Sequence, residues 1–363
     1  MVNYDMIFSA APFGLAKADK HELLTGALKE LTLHHYRNCV NYRKILDAYG
    51  FAPDAVSSYY DIPFLPVRLF KEFDLLSVKN EDVFKTMTSS GTTGQVTSRI
   101  YVDKTTSVNQ SKIMVKIVSS FISSARVPML IIDTESVLRN RNVFSARAGA
   151  ILGFTIFGKD KLFVLDENMQ LRQKELLAFL EKHQGKEILL FGFTFMIWLH
   201  FCNALKNSGL KLDLGNSVLI HGGGWKKLAD GAVTKEQFKE TLRECANIQR
   251  VYDYYGMVEQ ASSIYLECEY GHLHASSYSD IIIRRSSDFA PAGFGEPGLI
   301  QAVSVSPFSY PGHSILTEDR GIMLGEDDCP CGRLGKYYEI LGRIAQAEVR
   351  GCSDTYEGSR FEV

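Results

Sequence analysis

Apolar positions follow two different rhythms along this chain. Through the first fifty residues they recur at helical spacing: Leu23, Leu24, Leu28 and Leu31, then Tyr42, Ile45 and Leu46, with Gly50 as a stop. His21 to Gly50 is therefore predicted to be helical, and residues 1–80 to form a mainly helical N-terminal region. Ile62-Pro63-Phe64-Leu65-Pro66 breaks that pattern. From position 98 onward, short continuous apolar runs alternate with helical stretches. Ile100-Tyr101-Val102, Met129 to Ile132, Leu162 to Leu165, Ile188 to Phe191 and Ser217 to Ile220 read as strands. Helical stretches near 105–124, 172–184, 194–207 and 234–246 separate several of them. This alternation predicts an α/β fold with substantial parallel sheet flanked by helices. Between 260 and 343 turns are denser and β runs shorter, as in Ile281-Ile282-Ile283 and Leu299 to Val303, which predicts a smaller β-rich subdomain. The expected division is 1–80 helical, 81–260 α/β core, 261–343 β-rich subdomain and 344–363 tail, with no internal repeat.

Ile188 to Leu205 is mostly apolar and eighteen residues long, close to the lower limit for a membrane-spanning helix. Gly192, Thr194, His200 and Asn203 interrupt it, so it reads better as a buried strand followed by a buried helix that Thr194 caps. No membrane span is expected. With 363 residues, 45% hydrophobic and 23% charged, the chain can bury a sizeable core. A formal charge of −2 without a basic run argues against nucleic acid as the main partner. The N-terminus lacks a secretory pattern, and seven cysteines spread over a long chain favour a reducing, cytoplasmic setting over a disulfide framework. Nothing here decides between monomer and homo-oligomer.

The candidate chemistry begins at Thr88-Ser89-Ser90-Gly91-Thr92-Thr93-Gly94. Its glycines allow several N–H groups to converge on one anion, and its hydroxyls add donors without bulk. Alone, it is also an ordinary polar turn. His221-Gly222-Gly223-Gly224-Trp225 follows a strand and marks either a tight turn or a place where backbone passes close to something flat. In Val251 to Glu259, Tyr255 beside Gly256 could stack on a base, or pack in the core, and Glu259 could hold a divalent cation. Leu316-Thr317-Glu318-Asp319-Arg320-Gly321 is expected to place acidic groups in a turn, either solvated or accepting the hydroxyls of a ribose. Cys268, His272, Cys329 and Cys331 supply three thiols and an imidazole, the ligand set of a closed structural Zn²⁺ site, with His274 an alternative to His272. The competing reading is of ordinary buried thiols. Cys352 lies in a Gly- and Ser-containing tail with Arg350 two residues before it, a setting that favours thiolate. Cys39, Cys202 and Cys245 are expected in the core.

The ordered series Ser89 to Gly94, Gly222 to Gly224, Tyr255 to Glu259, Asp319 and Gly342-Arg343 resembles the adenylate-forming superfamily of acyl- and aryl-CoA ligases. Within it, His221 to Lys227, Cys329-Pro330-Cys331-Gly332-Arg333 and Val349 to Ser353 are most similar to the acyl-protein synthetases of bacterial bioluminescence fatty-acid reductase complexes. Phenylacetate-CoA ligases are the next branch. The resemblance implies that Ser89, Ser90, Gly91, Thr92, Thr93 and Gly94 hold ATP phosphates and that Gly222, Gly223 and Gly224 border adenine. It implies Tyr255 and Gly256 at the base, Glu259 on Mg²⁺, Asp319 on ribose and Arg343 near ribose or phosphate. It also implies the acyl group of a fatty or aryl acid passing to Cys352, then to a reductase-like protein; coenzyme A is the acceptor in the alternative ligase reading. A zinc-stabilised partner without catalysis is the third reading.

The chain departs from the family pattern in three places. Gln95-Val96-Thr97-Ser98-Arg99 replaces the usual Gly-x-Pro-Lys, leaving Arg99 as the nearest base. Val258 stands where a threonine is usual. Twenty residues follow Arg343, so the mobile C-terminal domain with its catalytic lysine is expected to be truncated or absent. Gly192 to Trp198 is expected to line the acyl pocket.

Overall fold

The computed structural model describes residues 2–52, 55–89, 97–122, 126–138, 145–225 and 232–344. The described chain forms two compact units, one from 2–89, 97–118 and 255–344, the other from 119–122 and 126–254 with the gaps noted.

In the first unit the predicted N-terminal helix divides into Lys17–Asn38 and Val40–Ala48, because buried Cys39 adopts an extended conformation between them. A shorter helix, Tyr4–Ser9, precedes them. Strand β1 (Leu65–Pro66) runs parallel to β13 (Ser314–Glu326). Strands β2 (Val83–Thr88) and β3 (Arg99–Asp103) pair as an antiparallel hairpin, followed by the helix Lys104–Val118, which stops short of the predicted 124. The remaining strands are β9 (Tyr265–Glu267), β10 (Leu273–His274), β11 (Ser279–Arg284), β12 (Pro297–Ser304) and β14 (Lys336–Arg343). They follow the order β11-β12-β13-β14-β10-β9, every adjacent pair antiparallel. Asp319 lies inside the long strand β13, not in the expected turn. A shift of register between Arg320 and Gly321 supplies the irregularity that the sequence suggested as a turn.

The second unit is a parallel sheet in the order β8-β7-β6-β4-β5. Its strands are β4 (Val127–Thr134), β5 (Gly158–Leu165), β6 (Ile188–Phe193), β7 (Ser217–Gly222) and β8 (Arg250–Tyr255), whose last residue opens the C-terminal part of the first unit. Helices Ala146–Phe154, Gln173–Lys182 and Lys235–Ala246 lie between strands. Every residue of β4, β6 and β7 is buried, which is why these strands read as continuous apolar runs without alternation. The Ile188–Leu205 stretch is β6 followed by helical residues, with a π-helical stretch at Ile197–Cys202. Thr194 is not the expected cap. It opens the helix, and its hydroxyl is engaged elsewhere. Among the described residues no helix is long and apolar enough to cross a membrane.

Candidate active site

Asp319 is the centre of the polar cluster in the first unit. Pairing of β13 with β14 sets Asp319 opposite Arg343, whose Nε donates to Asp319 Oδ1 at 3.1 Å. Tyr255 donates its hydroxyl to Oδ2 at 2.7 Å. Burial, and then the Asp319 charge, push the Tyr255 phenol well above its ordinary value, so it stays a neutral donor. Each carboxylate oxygen holds one of these donors and keeps a lone pair for another, which is what two ribose hydroxyls require. Gly256 joins β8 to the turn Val258–Gln260, which carries Glu259. Burial raises the Glu259 carboxyl above its usual range. The turn is anchored by Gln260, whose Nε2 donates to Ala302 O at 2.9 Å and Gly312 O at 2.8 Å.

Ser89 and Ser98 close the β2–β3 hairpin. Ser89 N–H donates to Ser98 O at 3.2 Å, and Ser98 N–H donates to Ser89 Oγ at 2.9 Å. The expected phosphate loop thus leaves from a hairpin end, while Ser90, Gly91, Thr92, Thr93 and Gly94 lie outside the described residues, as does Cys352. Arg99, the nearest base to that loop, pairs with Asp74 at 2.9 Å.

The three glycines belong to the second unit, and packing accounts for two of them. A Cβ on Gly222 would lie 2.7 Å from Tyr254 Cε1 and 2.9 Å from the Tyr254 carbonyl oxygen. Gly223 has φ +87°, and a Cβ there would lie 2.8 Å from Phe193 Cδ1. Gly224, at φ +55°, has nothing within 4 Å of its Cβ position among the described residues. The tight-turn reading explains the first two; only Gly224 needs glycine for its backbone alone.

Cys268, Cys329, Cys331 and His274 gather in the first unit with their ligand atoms all within 4.8 Å of one another. Cys268 Sγ and Cys329 Sγ are 4.0 Å apart, and Cys331 Sγ is 3.3 Å from His274 Nε2. A tetrahedral site with metal–sulfur bonds of ~2.3 Å has sulfur–sulfur edges of about 3.8 Å, so the set fits a divalent cation of the zinc type. The expected His272 is replaced in this group by His274, the alternative that the spacing left open. Both imidazoles approach the thiols, His274 from β10 and His272 from the residue just before it. His274 is the buried one, whereas His272 lies 3.4 Å from Cys329 and stacks on Tyr337.

Comparison with known proteins decides the class. The family model described as "Acyl-protein synthetase, LuxE" matches residues 2–359. The chain belongs to this family. It is 25% identical over 367 residues to a long-chain-fatty-acid–luciferin-component ligase of Vibrio harveyi, covering 96% of this chain and 91% of that protein. A protein of the same name from Aliivibrio fischeri is 24% identical over 359 residues, covering 96% and 92%. Among solved structures, an open conformation of 2-hydroxyisobutyryl-CoA ligase superposes with a TM-score of 0.70 at 14% identity, covering 93% of this chain and 77% of that one. A long-chain-fatty-acid-CoA ligase from Archaeoglobus fulgidus gives a TM-score of 0.50 at 15% identity, covering 73% and 52%. The fold is therefore that of adenylate-forming ligases, as the sequence resemblance implied.

The synthetase chain also carries polar groups without a role in the sequence reading, joined by Thr194, which was expected to cap a helix and lies in the expected acyl-pocket stretch. In the second unit His221 Nδ1 lies 3.0 Å from Thr194 Oγ1, which donates to Gly222 O at 3.2 Å, and 3.7 Å from Asp253 Oδ1. Arg147 forks onto Asp133, with Nε to Oδ2 at 2.8 Å and Nη2 to Oδ1 at 2.5 Å, both residues buried. Asp133 and His221 are the next-to-last residues of β4 and β7, Thr194 directly follows β6, and Asp253 lies within β8 opposite His221. Ligands of open parallel sheets bind at the carboxyl ends of the strands. For Asp133, Thr194 and His221 a common signal was available in the sequence: a polar residue close behind an apolar run.

Proposed function

We propose that this synthetase activates a carboxylic acid, a fatty acid by analogy with its named relatives, using ATP and Mg²⁺. One carboxylate oxygen attacks the α-phosphorus, the bond to the bridging oxygen breaks, and pyrophosphate leaves with its electron pair. A thiolate then attacks the acyl carbonyl, and AMP departs as the thioester forms. Asp319 would accept the ribose hydroxyls, Tyr255 would lie against adenine with Gly224 at its border, and Arg343 would steady ribose or phosphate. Ser89 to Gly94 would hold the phosphates. Glu259 would hold Mg²⁺, which when bound neutralises charge developing on the phosphates. Cys352 is the proposed thiol acceptor, with a reductase-like protein or coenzyme A taking the acyl group afterwards. Cys268, His274, Cys329 and Cys331 would hold a structural zinc ion, since four protein ligands leave no open position. A cytoplasmic setting suits so many free thiols.

The observation that carries this reading is Asp319 held between Tyr255 and Arg343, on a chain of this family. Pyrophosphate release across a panel of fatty and aryl acids, followed by intact-mass measurement, tests it. An acid-dependent mass gain that hydroxylamine removes, and that Cys352→Ser lacks, is expected. Turnover with free coenzyme A that Cys352→Ser leaves undiminished would move the reading to a CoA ligase. Absence of pyrophosphate release with every acid would overturn it. Metal analysis of the purified protein should find about one zinc per chain, lost together in Cys329→Ser.

A further inference from the structure

The helix Lys17–Asn38 begins without a cap of its own. Ala16 precedes it and has no side-chain acceptor, although the first N–H groups of any helix lack partners within it. Asp327 supplies the acceptor from the far end of the chain. Its Oδ2 accepts the Lys17 N–H at 2.8 Å, and its Oδ1 accepts the Gly335 N–H at 2.7 Å. A carboxylate at this end also suits the helix dipole. Asp327 itself sits at φ +67°, in the left-handed region that residues with a Cβ seldom adopt. Such a conformation persists only where its surroundings fix it.

Asp327 opens the loop 327–335 that joins β13 to β14, and Asp327 N–H closes its base on Gly335 O at 3.1 Å. Two members of the Cys/His group, Cys329 and Cys331, lie on this loop; Cys268 follows β9 and His274 ends β10. The N-terminal segment docks on the same place. Leu334 N–H donates to Phe13 O at 3.2 Å, and the Phe13 ring meets His274 edge-on at 6.1 Å, with the Arg333 guanidinium 5.9 Å away. Just past β10, the Tyr278 hydroxyl donates to Ala10 O at 2.6 Å, Ser277 Oγ to Ala11 O at 2.7 Å and Ser277 N–H to Pro12 O at 2.6 Å. Arg333 also ties the loop to Glu269 at 2.9 Å, but half of the Glu269 side chain is exposed, and such pairs hold little. A metal ion with two ligands on the loop and two on the β9–β10 side is the strong fastener here.

We infer that the metal held by Cys268, His274, Cys329 and Cys331 latches the N-terminal region: it fixes the 327–335 loop, which caps the Lys17–Asn38 helix through Asp327 and holds Phe13. Loss of the metal releases residues 10–20 while the sheets persist. This inference rests on the proposed structural zinc.

Hydrogen exchange of the full chain, zinc-loaded and after stripping with 1,10-phenanthroline, tests the latch. Peptides covering residues 10–20 should exchange about tenfold faster in the stripped protein, and added zinc should restore their protection. Trypsin should cut after Lys17, whose side chain is exposed, only in the stripped form. Peptides from β6 and β7 should not change. Asp327→Ala removes the cap and no ligand, so it should expose the helix start while still holding about one zinc per chain. Cys331→Ser should lose the zinc and expose residues 10–20 together. Equal exchange of that region with and without zinc overturns the latch and spares the metal site. Exchange that accelerates evenly across the chain, β6 and β7 included, also overturns it, by making the metal a global stabiliser. Protein that neither contains zinc nor takes it up overturns the structural-zinc reading and the latch with it.

Discussion

The parallel sheet and the antiparallel sheet place their polar side chains in opposite ways. In the second unit β4, β6 and β7 are covered on both faces, and polar groups such as Asp133, Thr194 and His221 stand where the runs end. In the first unit charged and amide groups sit within or at the ends of buried strands. Asp280 in β11 binds Lys336 of β14 at 2.7 Å and Lys20 of the Lys17–Asn38 helix at 3.1 Å, and accepts the Tyr59 hydroxyl at 2.5 Å. Arg284 donates to Gln301 at 2.6 Å and to Tyr60 O at 2.8 Å. Covered on two sides, a parallel sheet has room for polar chemistry chiefly at its strand ends. The antiparallel unit instead uses side-chain networks to fasten helix to sheet, which is tolerable only if every member is paired.

The difference breaks most visibly at Asp280. Burial pushes its carboxyl up, but the Lys20 and Lys336 cations and the Lys336 and Tyr59 donors outweigh this and hold it down to about 2. Asp280→Ala leaves two buried ammonium groups facing each other and should cost about 3–5 kcal/mol in urea unfolding. Replacing the set together, as Asp280→Leu with Lys20→Met and Lys336→Met, should recover most of that loss. If the triple variant is no better than the single one, the network does more than satisfy its own charges.

A smaller effect sharpens the contrast through pH. His35 and His313 stack at 4.8 Å inside the first unit, His35 facing Ser77 and Pro307 O and His313 facing Thr32. Burial holds His313 down to about 3, and burial with neighbouring His313 and His34 holds His35 well below 6.5. Above pH 6.5 neither the folded nor the unfolded chain protonates them, and their contribution is complete. Below it the unfolded chain takes up protons that the folded chain refuses, so stability falls from about 6.5 downward, by ~1.4 kcal/mol per pH unit for each histidine. By pH 5.5 the pair should have cost about 3 kcal/mol. His313→Gln should remove roughly half of that slope in denaturation curves taken between pH 7 and 5.5; an unaltered slope would assign the acid sensitivity elsewhere.

What could be read beforehand follows the same division. Strands β4 to β7 were legible because continuous apolar runs with polar ends have few other folds open to them. Strand β13 was not: Thr317-Glu318-Asp319-Arg320-Gly321 looks like a turn, and its pairing with β14 depends on residues some twenty positions away. The break at Cys39 was equally hidden, since a buried cysteine fits a helical stripe as well as an extended corner. Cysteine spacing pointed to a metal group, yet it could not choose between His272 and His274, both of which lie beside a thiol.

The glycines after β7 give the smallest effects and separate packing from binding most cleanly. Gly222→Ala meets the Tyr254 ring and, at 2.9 Å, the Tyr254 carbonyl, which as backbone cannot swing aside. It should cost about 1–3 kcal/mol of stability as an overpacked site. Gly224→Ala meets nothing among the described residues and carries the strain of φ +55°, about 1 kcal/mol. If the loop borders adenine, the ranking reverses when nucleotide affinity is measured by calorimetry: Gly224→Ala should weaken ATP binding several-fold more than Gly222→Ala does, despite the milder effect on unfolding. Equal affinities for both variants would leave the glycines explained by Tyr254 and Phe193 alone, and would move the adenine border off this loop.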